Sequence, residues 1–435
     1  MRKGIRVYNL YPKLVGSMEK WITHFDRIKK MNFDWIYVNP INAPGFSGSD
    51  YAIKDYYGYH PLFVTGEYNF DKIEEEKPLG NELLKKVCTE ANNHGLNVMF
   101  DLVINHTAVD SHLTKDHPNW YLKNEDGSIK NPGTLDGTNY ITWGDLAQID
   151  NENSLDKDNL WEYWLDMTLF YCGLGVRGFR CDAAYHVPTS LWKFLIQNVK
   201  NRYPDTIFLA ETLGDQCTPK ILAEVADSGF DYVMSSFKWW DLKSDWFLKD
   251  YSTWAGKYPS LSFPENHDTI RYSTEINGNK NMAINKYALC AYFSSSIATT
   301  IGYEYGFKRK IDVVQTNPTW WEEPSYDISE DIAKINEIKS KYDVLLEDNM
   351  INLVNFNNNN IVGFTKYNLG GTEKVLVISN GNQYNSEVAK INGIYGLMGG
   401  SNVIDISHGY RMDNVPDNLE YNLNPGEVKL FYLKK

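Results

Sequence analysis

Short runs of β-forming residues alternate along the chain with segments whose apolar positions recur every three to four residues. Residues 5–11 read as a strand, and Met18, Trp21, Ile22, Phe25 and Ile28 then mark one face of a helix. Residues 34–39 form the next strand. Leu83, Leu84, Val87, Cys88 and Ala91 make a second helix face, which Gly95 ends before a strand over 97–105. A helix over about 160–174 leads to a strand at 176–182, and the face Leu191, Trp192, Leu195, Ile196, Val199 leads to a strand at 206–211. Thr218-Pro219 supplies a capping hydroxyl followed by proline at the first helical position. Strands at 230–235, 261–268 and 299–305 bring the total to eight, with a last helix at 328–342. Such alternation implies parallel βα units, either doubly wound or closed as a (β/α)8 barrel. No glycine-rich phosphate loop follows the first strand, which speaks against a dinucleotide-binding version.

From about residue 348 the texture changes. Short β runs at 361–367 and 375–379 are punctuated by four asparagines at 357–360 and by Gly370, Gly371, Gly399 and Gly400. This predicts a small antiparallel β domain, with the asparagines as a hairpin loop. The chain thus divides into a barrel at 1–347, carrying an insertion at 107–152 after its third strand, and a C-terminal β-sandwich at 348–435.

Composition narrows the partners. Lys and Arg number 43 against 56 Asp and Glu, a net charge of −13 that leaves no basic excess for nucleic acid. Five cysteines form an odd, scattered set without CxxC spacing, so a reducing, cytoplasmic setting is expected. The start of the chain has no signal-peptide pattern, and no apolar run reaches the ~18–20 residues needed to cross a membrane. Tyr, Trp and Phe make up 14% of the residues, flat side chains that suit both core filling and sugar rings.

Four predicted strands end in polar clusters, at the place where a barrel assembles its chemistry. They are Asp101-Leu-Val-Ile-Asn105-His106, Arg180-Cys-Asp182-Ala-Ala-Tyr185-His186, Phe208-Leu-Ala-Glu211-Thr and Phe263-Pro-Glu-Asn266-His267-Asp268. Alternation along a strand puts Arg180 and Asp182 on one face, as it does Asp101 and Asn105. Asp182 and Glu211 stand 29 residues apart, close to one ~30-residue βαβ unit, and Glu211 and Asp268 stand 57 apart, about two. One common site is the economical reading.

These four clusters, in this order, resemble the signature regions of the α-amylase superfamily (glycoside hydrolase family 13), and the similarity extends over nearly the whole chain. The resemblance implies a TIM barrel and a retaining glycosidase acting on α-1,4-linked glucans or maltooligosaccharides. It makes Asp182 the nucleophile, Glu211 the general acid/base and Asp268 the transition-state stabiliser. It makes Arg180 the nucleophile's partner, and His106 and His267 ligands of the sugar. Asp101, Tyr185 and His186 join the substrate-binding set. Gly58-Tyr59 resembles the motif whose tyrosine stacks on that sugar. The chemistry asks that Glu211 hold a proton near neutral pH, with its pKa raised, and that Asp182 stay ionised beside Arg180.

Departures from the family pattern set further expectations. Tyr185 stands where lysine is common, Glu211 is followed by Thr-Leu, and His60 replaces a frequent tryptophan. Asn105 resembles a family calcium ligand, but Gln148 occupies the place of an aspartate ligand, which weakens a hard-cation site. No cofactor is required for the implied reaction. Trp120, Tyr121, Tyr140 and Trp143 in the insertion, with the pairs Trp239-Trp240 and Trp320-Trp321, are candidates for walls of the cleft. The motifs around Glu211 and Asp268 also resemble a branch near the maltosyltransferases that use maltose 1-phosphate. The alternative reading is therefore a transglycosylase, with Lys308, Arg309 and Lys310 as a candidate phosphate pocket. An inactive amylase-like binding protein is the competing class, against which all three carboxylates are present.

Overall fold

The computed structural model describes residues 2–136, 139–214 and 216–435. Eight parallel strands close on themselves: β1 (Arg6–Leu10), β2 (Trp35–Val38), β3 (Asn97–Leu102), β4 (Gly178–Cys181), β5 (Ile207–Glu211), β6 (Tyr232–Met234), β7 (Ser260–Ser262) and β8 (Ser296–Thr300). Neighbours in the chain are neighbours in the sheet, and β8 returns to β1 with Ile297 opposite Arg6. Closure removes the doubly wound alternative.

Alternation along these strands builds two cores. Val7, Trp35, Tyr37, Met99, Ile207, Leu209, Tyr232, Met234 and Leu261 fill the barrel interior. Their neighbours Tyr8, Ile36, Val98, Phe100, Phe179, Phe208, Val233 and Ile297 face outward into the helical layer. Strands buried on both sides must be apolar throughout, which is why they read as continuous runs. The same parity sends Asp101, Arg180 and Glu211 inward at the carboxyl ends of β3, β4 and β5, with Arg180 directly opposite Asp101.

Three strand boundaries differ from expectation. β3 ends at Leu102 and β7 at Ser262, so Asn105, Asn266, His267 and Asp268 sit on the loops that follow rather than on the strands. β8 begins at Ser296, within a serine run that reads as an interruption in the sequence. Those serines are buried, and they are satisfied locally. Ser260 Oγ donates to Asp348 Oδ1 (2.9 Å) and accepts from the Ser294 hydroxyl (2.9 Å), and Ser295 N donates to the same carboxylate.

After β3 the chain inserts a small layer in which His106–Ala108 pairs with Leu146–Gln148 and Gly133–Asp136 pairs with Asn139–Thr142. Trp120 and Tyr121 are buried and join the barrel's outer core, Trp120 lying 5.4 Å from Tyr163, whereas Trp143 is partly exposed beside a cavity at the carboxyl ends of the strands; the Tyr140 side chain lies outside the described residues.

The C-terminal part is a five-stranded antiparallel sheet, in the order Ile351–Leu353, Ile361–Tyr367, Glu373–Asn380, Val428–Lys434, Ile404–Asp405, with a separate two-stranded ribbon of Glu387–Ile391 and Leu419–Leu423. The asparagine-rich stretch joins the first two strands as a hairpin. Leu376, Ile378, Phe431 and Leu433 pack with the ribbon's Ile391, Leu419 and Leu423. Val375, Val377 and Leu430 turn the other way and join the barrel's outer core. Asn285, on the barrel helix Lys280–Phe293, donates to Ser379 Oγ, Asn380 O and Gly426 O and stitches the two parts together. No described helix is long and apolar enough to cross a membrane, and among the described residues all five cysteines are free thiols.

Candidate active site

The three inward-facing strand-end residues meet on one guanidinium. Arg180 Nη1 donates to Asp101 Oδ1 (2.8 Å) and Asp182 Oδ1 (2.7 Å), while Nη2 lies 3.1 Å from Glu211 Oε2. Glu211 Oε2 also accepts from the backbone N of Ala183 at 2.7 Å. Ala183 adopts φ +38°, a left-handed conformation that an alanine takes only under constraint. That turn brings the amide following Asp182 onto Glu211. Sequence neighbour and strand neighbour are thereby locked together.

Burial and the neighbouring carboxylates govern protonation here. Asp182 is pushed up to about 8, first by burial and then by Glu211 and Asp101, with Arg180 pulling it back down. The sequence-based expectation had Asp182 ionised beside Arg180; burial works against that charge.

Asp101 is a correction to the substrate-binding set. Its side chain is fully buried, and its oxygens accept from Arg180, from Tyr37 Oη (2.6 Å) and from Tyr51 Oη (2.7 Å). No acceptor capacity is left for a sugar, so it acts as the anchor of Arg180 and Tyr51. Burial raises both phenols well above their ordinary value, which keeps them protonated as donors.

Tyr59 is a second correction. It is buried, its hydroxyl donates to Asn81 Oδ1 at 2.6 Å, and its ring lies where a Cβ on Gly80 would stand. It belongs to the packing of helix Ile73–Asn93. The tyrosine that faces the cavity is Tyr51, whose ring stacks on His267 at 5.5 Å with 8° between planes. Tyr11 lies against His267 from another side at 6.5 Å. The sequence reading missed Tyr51, and with it a buried pair beneath: Lys13 Nζ lies 3.0 Å from Asp50 Oδ1, Tyr11 Oη donates to Asp50 Oδ2, and Lys13 donates to the carbonyls of Gly48 and Val313. Lys13 thus ties the first barrel loop to two loops that rim the cavity. Its position in an apolar stretch between Pro12 and Leu14 was the available signal, since lysine is almost never fully buried unless paired.

A cavity of about 450 Å³ opens over these groups, lined by Tyr51, His106, Trp143, Arg180, Asp182, Tyr185, His186, Glu211, His267 and Asp268 together with Val313 and Val314. Asp268 is the most exposed of the carboxylates and lies 3.2 Å from His267 Nε2. Burial lowers His106 to about 4, so its ring is neutral; Nε2 meets the Tyr51 carbonyl oxygen at 3.1 Å, and the buried Nδ1 has no protein partner. Asn105 Oδ1 is likewise buried without a partner, yet among the described residues no three His, Cys, Asp or Glu gather into a metal cluster.

Lys308, Arg309 and Lys310 do not line this cavity. Glu322 accepts the backbone N–H groups of Lys308 and Arg309, and the Arg309 guanidinium rests over Trp320 at 4.7 Å. Trp321 packs on Phe307 and His24. Trp240 is part of the core with Phe237, Phe247 and Phe293, whereas Trp239 beside it is 54% exposed.

Residues 1–127 match the family model described as glycogen debranching enzyme, glucanotransferase domain. The α-1,4-glucan:maltose-1-phosphate maltosyltransferase of Picrophilus torridus is 24% identical over 86% of this chain and 60% of its own length. Alpha-amylase 2 of Dictyoglomus thermophilum is 23% identical over 72% of the chain and 53% of its own length. The chain therefore spans between about half and three fifths of these relatives. In structure, an α-amylase from Lactobacillus plantarum superposes with a TM-score of 0.76 at 22% identity, covering 99% of this chain and 98% of that one. Strand-end motifs, barrel and relatives agree, and the chain carries the fold and signature of the α-amylase superfamily.

Proposed function

We propose that this site breaks an α-glucosidic bond with retention, through a covalent glycosyl-enzyme on Asp182, and passes the glycosyl group to a sugar acceptor. The observation that carries the reading is the Arg180 guanidinium holding Asp182 and Glu211 side by side, on neighbouring strands at the floor of an open cavity. Two carboxyls flanking one sugar are what the chemistry needs. In the productive form the pair's proton sits on Glu211. Glu211 donates it to the glycosidic oxygen while an Asp182 oxygen bonds to the anomeric carbon and the leaving sugar departs. An acceptor hydroxyl then gives its proton to Glu211 and attacks the same carbon, releasing Asp182; two inversions restore the starting configuration. Asp268 opposes the positive charge that develops on the ring, and neutral His106 offers its free Nδ1 to a sugar hydroxyl.

Transfer is favoured over hydrolysis because the curated relatives include several named as maltosyltransferases. Hydrolysis, the sequence-based expectation, is the second reading, favoured by the likeness to alpha-amylase 2. A neutral glucan suits the cavity better than a phosphorylated donor, since Arg180 is the one Lys or Arg among its described lining residues and three carboxylates already engage it. The test is chromatography of products from maltooligosaccharides, with and without maltose 1-phosphate. Chains longer than the substrate are expected without the phosphate. Shortened products alone would replace transfer by hydrolysis, and turnover only with maltose 1-phosphate would overturn the neutral donor.

The Tyr51 assignment has its own test. Tyr51→Phe removes a hydrogen bond to a charged group, worth about 1.5–3 kcal/mol, so kcat/KM is expected to fall roughly 10- to 100-fold. Tyr59→Phe should leave kcat/KM within about twofold while costing ~1 kcal/mol of stability through the lost bond to Asn81. Equal kinetic effects of the two would refute the assignment.

A further inference from the structure

The loops after β5 and β6 enclose a second cavity, of about 350 Å³, that the catalytic chemistry does not use. One wall is Thr212, Leu213, Gly214 and Cys217, the residues that continue from Glu211. The floor is a packed aromatic layer, with Trp240 5.1 Å from Phe247 and Tyr251 4.9 Å from Trp254. At the rim stand Trp239 and Trp246, 54% and 50% exposed, and Asp250 adds a carboxylate. Among the described aromatic rings each rim indole makes one edge contact to a core ring, Trp239 with Phe263 at 6.1 Å and Trp246 with Phe247 at 6.2 Å. Two large flat surfaces are thus left facing water beside one cavity.

This pocket and the catalytic cavity share a wall. A Cβ at Gly214 would fall 1.8 Å from the hydroxyl of Tyr185, which lines the catalytic side. Glycine at 214 therefore lets Tyr185 stand as a partition one side chain thick. The side on which the pocket lies matters as much as its contact. Whatever leaves or enters at the anomeric carbon exchanges its proton with Glu211, so leaving group and acceptor both lie on the Glu211 side, opposite the attack by Asp182.

We propose that the Trp239–Trp246 pocket is the acceptor site, holding the glucose units of a neutral α-glucan chain against the two indoles, with Asp250 accepting hydrogen bonds from sugar hydroxyls. The inference rests on the transfer reading and deepens it: water as acceptor needs no pocket of this size, and a sugar chain does. The flat apolar faces of glucose match exposed indoles, and the one ionic group among the pocket's described lining residues, Asp250, is an acceptor for hydroxyls rather than a partner for anions.

The experiment uses the full chain as Glu211→Gln, so that bound maltohexaose persists, and titrates it by calorimetry with and without Trp239→Ala and Trp246→Ala. Both tryptophans are exposed at the rim, so neither replacement opens the core. Affinity is expected to fall about tenfold in the double variant, and Tyr384→Ala, at a still more exposed ring in the C-terminal part, should change nothing. In the active chain the same two replacements should lower the ratio of elongated to shortened products. Affinity within twofold of the parent, an unchanged product ratio in a chain that does elongate its substrate, or no maltohexaose binding by the parent would each overturn the proposal. Failure of the transfer reading alone looks different: binding that depends on both tryptophans in a chain that makes only shortened products.

Discussion

Glu211→Gln is expected to lower turnover of maltooligosaccharides by roughly 10²–10⁴-fold, the range that positioned proton transfer supplies. The amide keeps an oxygen for the Ala183 N–H, so the local turn survives; what disappears is the transferable proton. The loss should depend on the leaving group. A glucosyl donor with a nitrophenolate leaving group departs without protonation, so its first step should be much less affected than that of maltohexaose. Equal losses on both donors would mean that Glu211 holds Arg180 in place rather than delivering a proton, because Glu211 also contacts that guanidinium.

Asp182→Asn should be more severe, at least ~10⁴-fold, because no covalent intermediate can form. A fluorinated glucosyl donor should leave its adduct on Asp182 in the parent chain, and an adduct elsewhere would remove it as nucleophile. The same replacement has a stability consequence with a definite sign. Burial, then Glu211 and Asp101, raise the folded-state pKa of Asp182 to about 8, far above an unfolded aspartate near 4. A raised carboxyl contributes its stability below the unfolded value and loses it as pH rises through the folded one. The asparagine variant carries no such liability. Its Tm should therefore match the parent near pH 4 and exceed it by a growing margin towards pH 8. A constant or shrinking margin would show that Arg180 fully compensates the buried charge.

The barrel was legible in the sequence because each strand is buried on both faces and reads as a short apolar run. Asp182 and Glu211 were legible because strand parity and βαβ spacing carry them to one rim. What escaped depends on contacts far apart in the chain. Tyr51 and Tyr59 lie in one tyrosine-rich stretch, and only the packing of Tyr59 onto Gly80 decides which faces the cavity. Asp101 looks like a ligand from its place at a strand end, yet Tyr37, Tyr51 and Arg180 consume its oxygens. Trp239 and Trp240 are identical in sequence terms, and the neighbours Phe237, Phe247 and Phe293 claim only one of them for the core. The protonation of Asp182 escaped for a similar reason: it follows from how deeply three carboxylates are enclosed, which spacing does not encode.

The two-faced strand pair of the C-terminal sheet governs when this chain can finish folding. Helix Lys280–Phe293 is covered by Glu373–Asn380 and Val428–Lys434, and Asn285 waits for the carbonyl of Gly426. During synthesis the eight barrel strands emerge well before that cover exists, leaving Phe293 and its neighbours wet on a nascent chain. The barrel's outer shell is therefore completed only after residues 428–434 have left the ribosome.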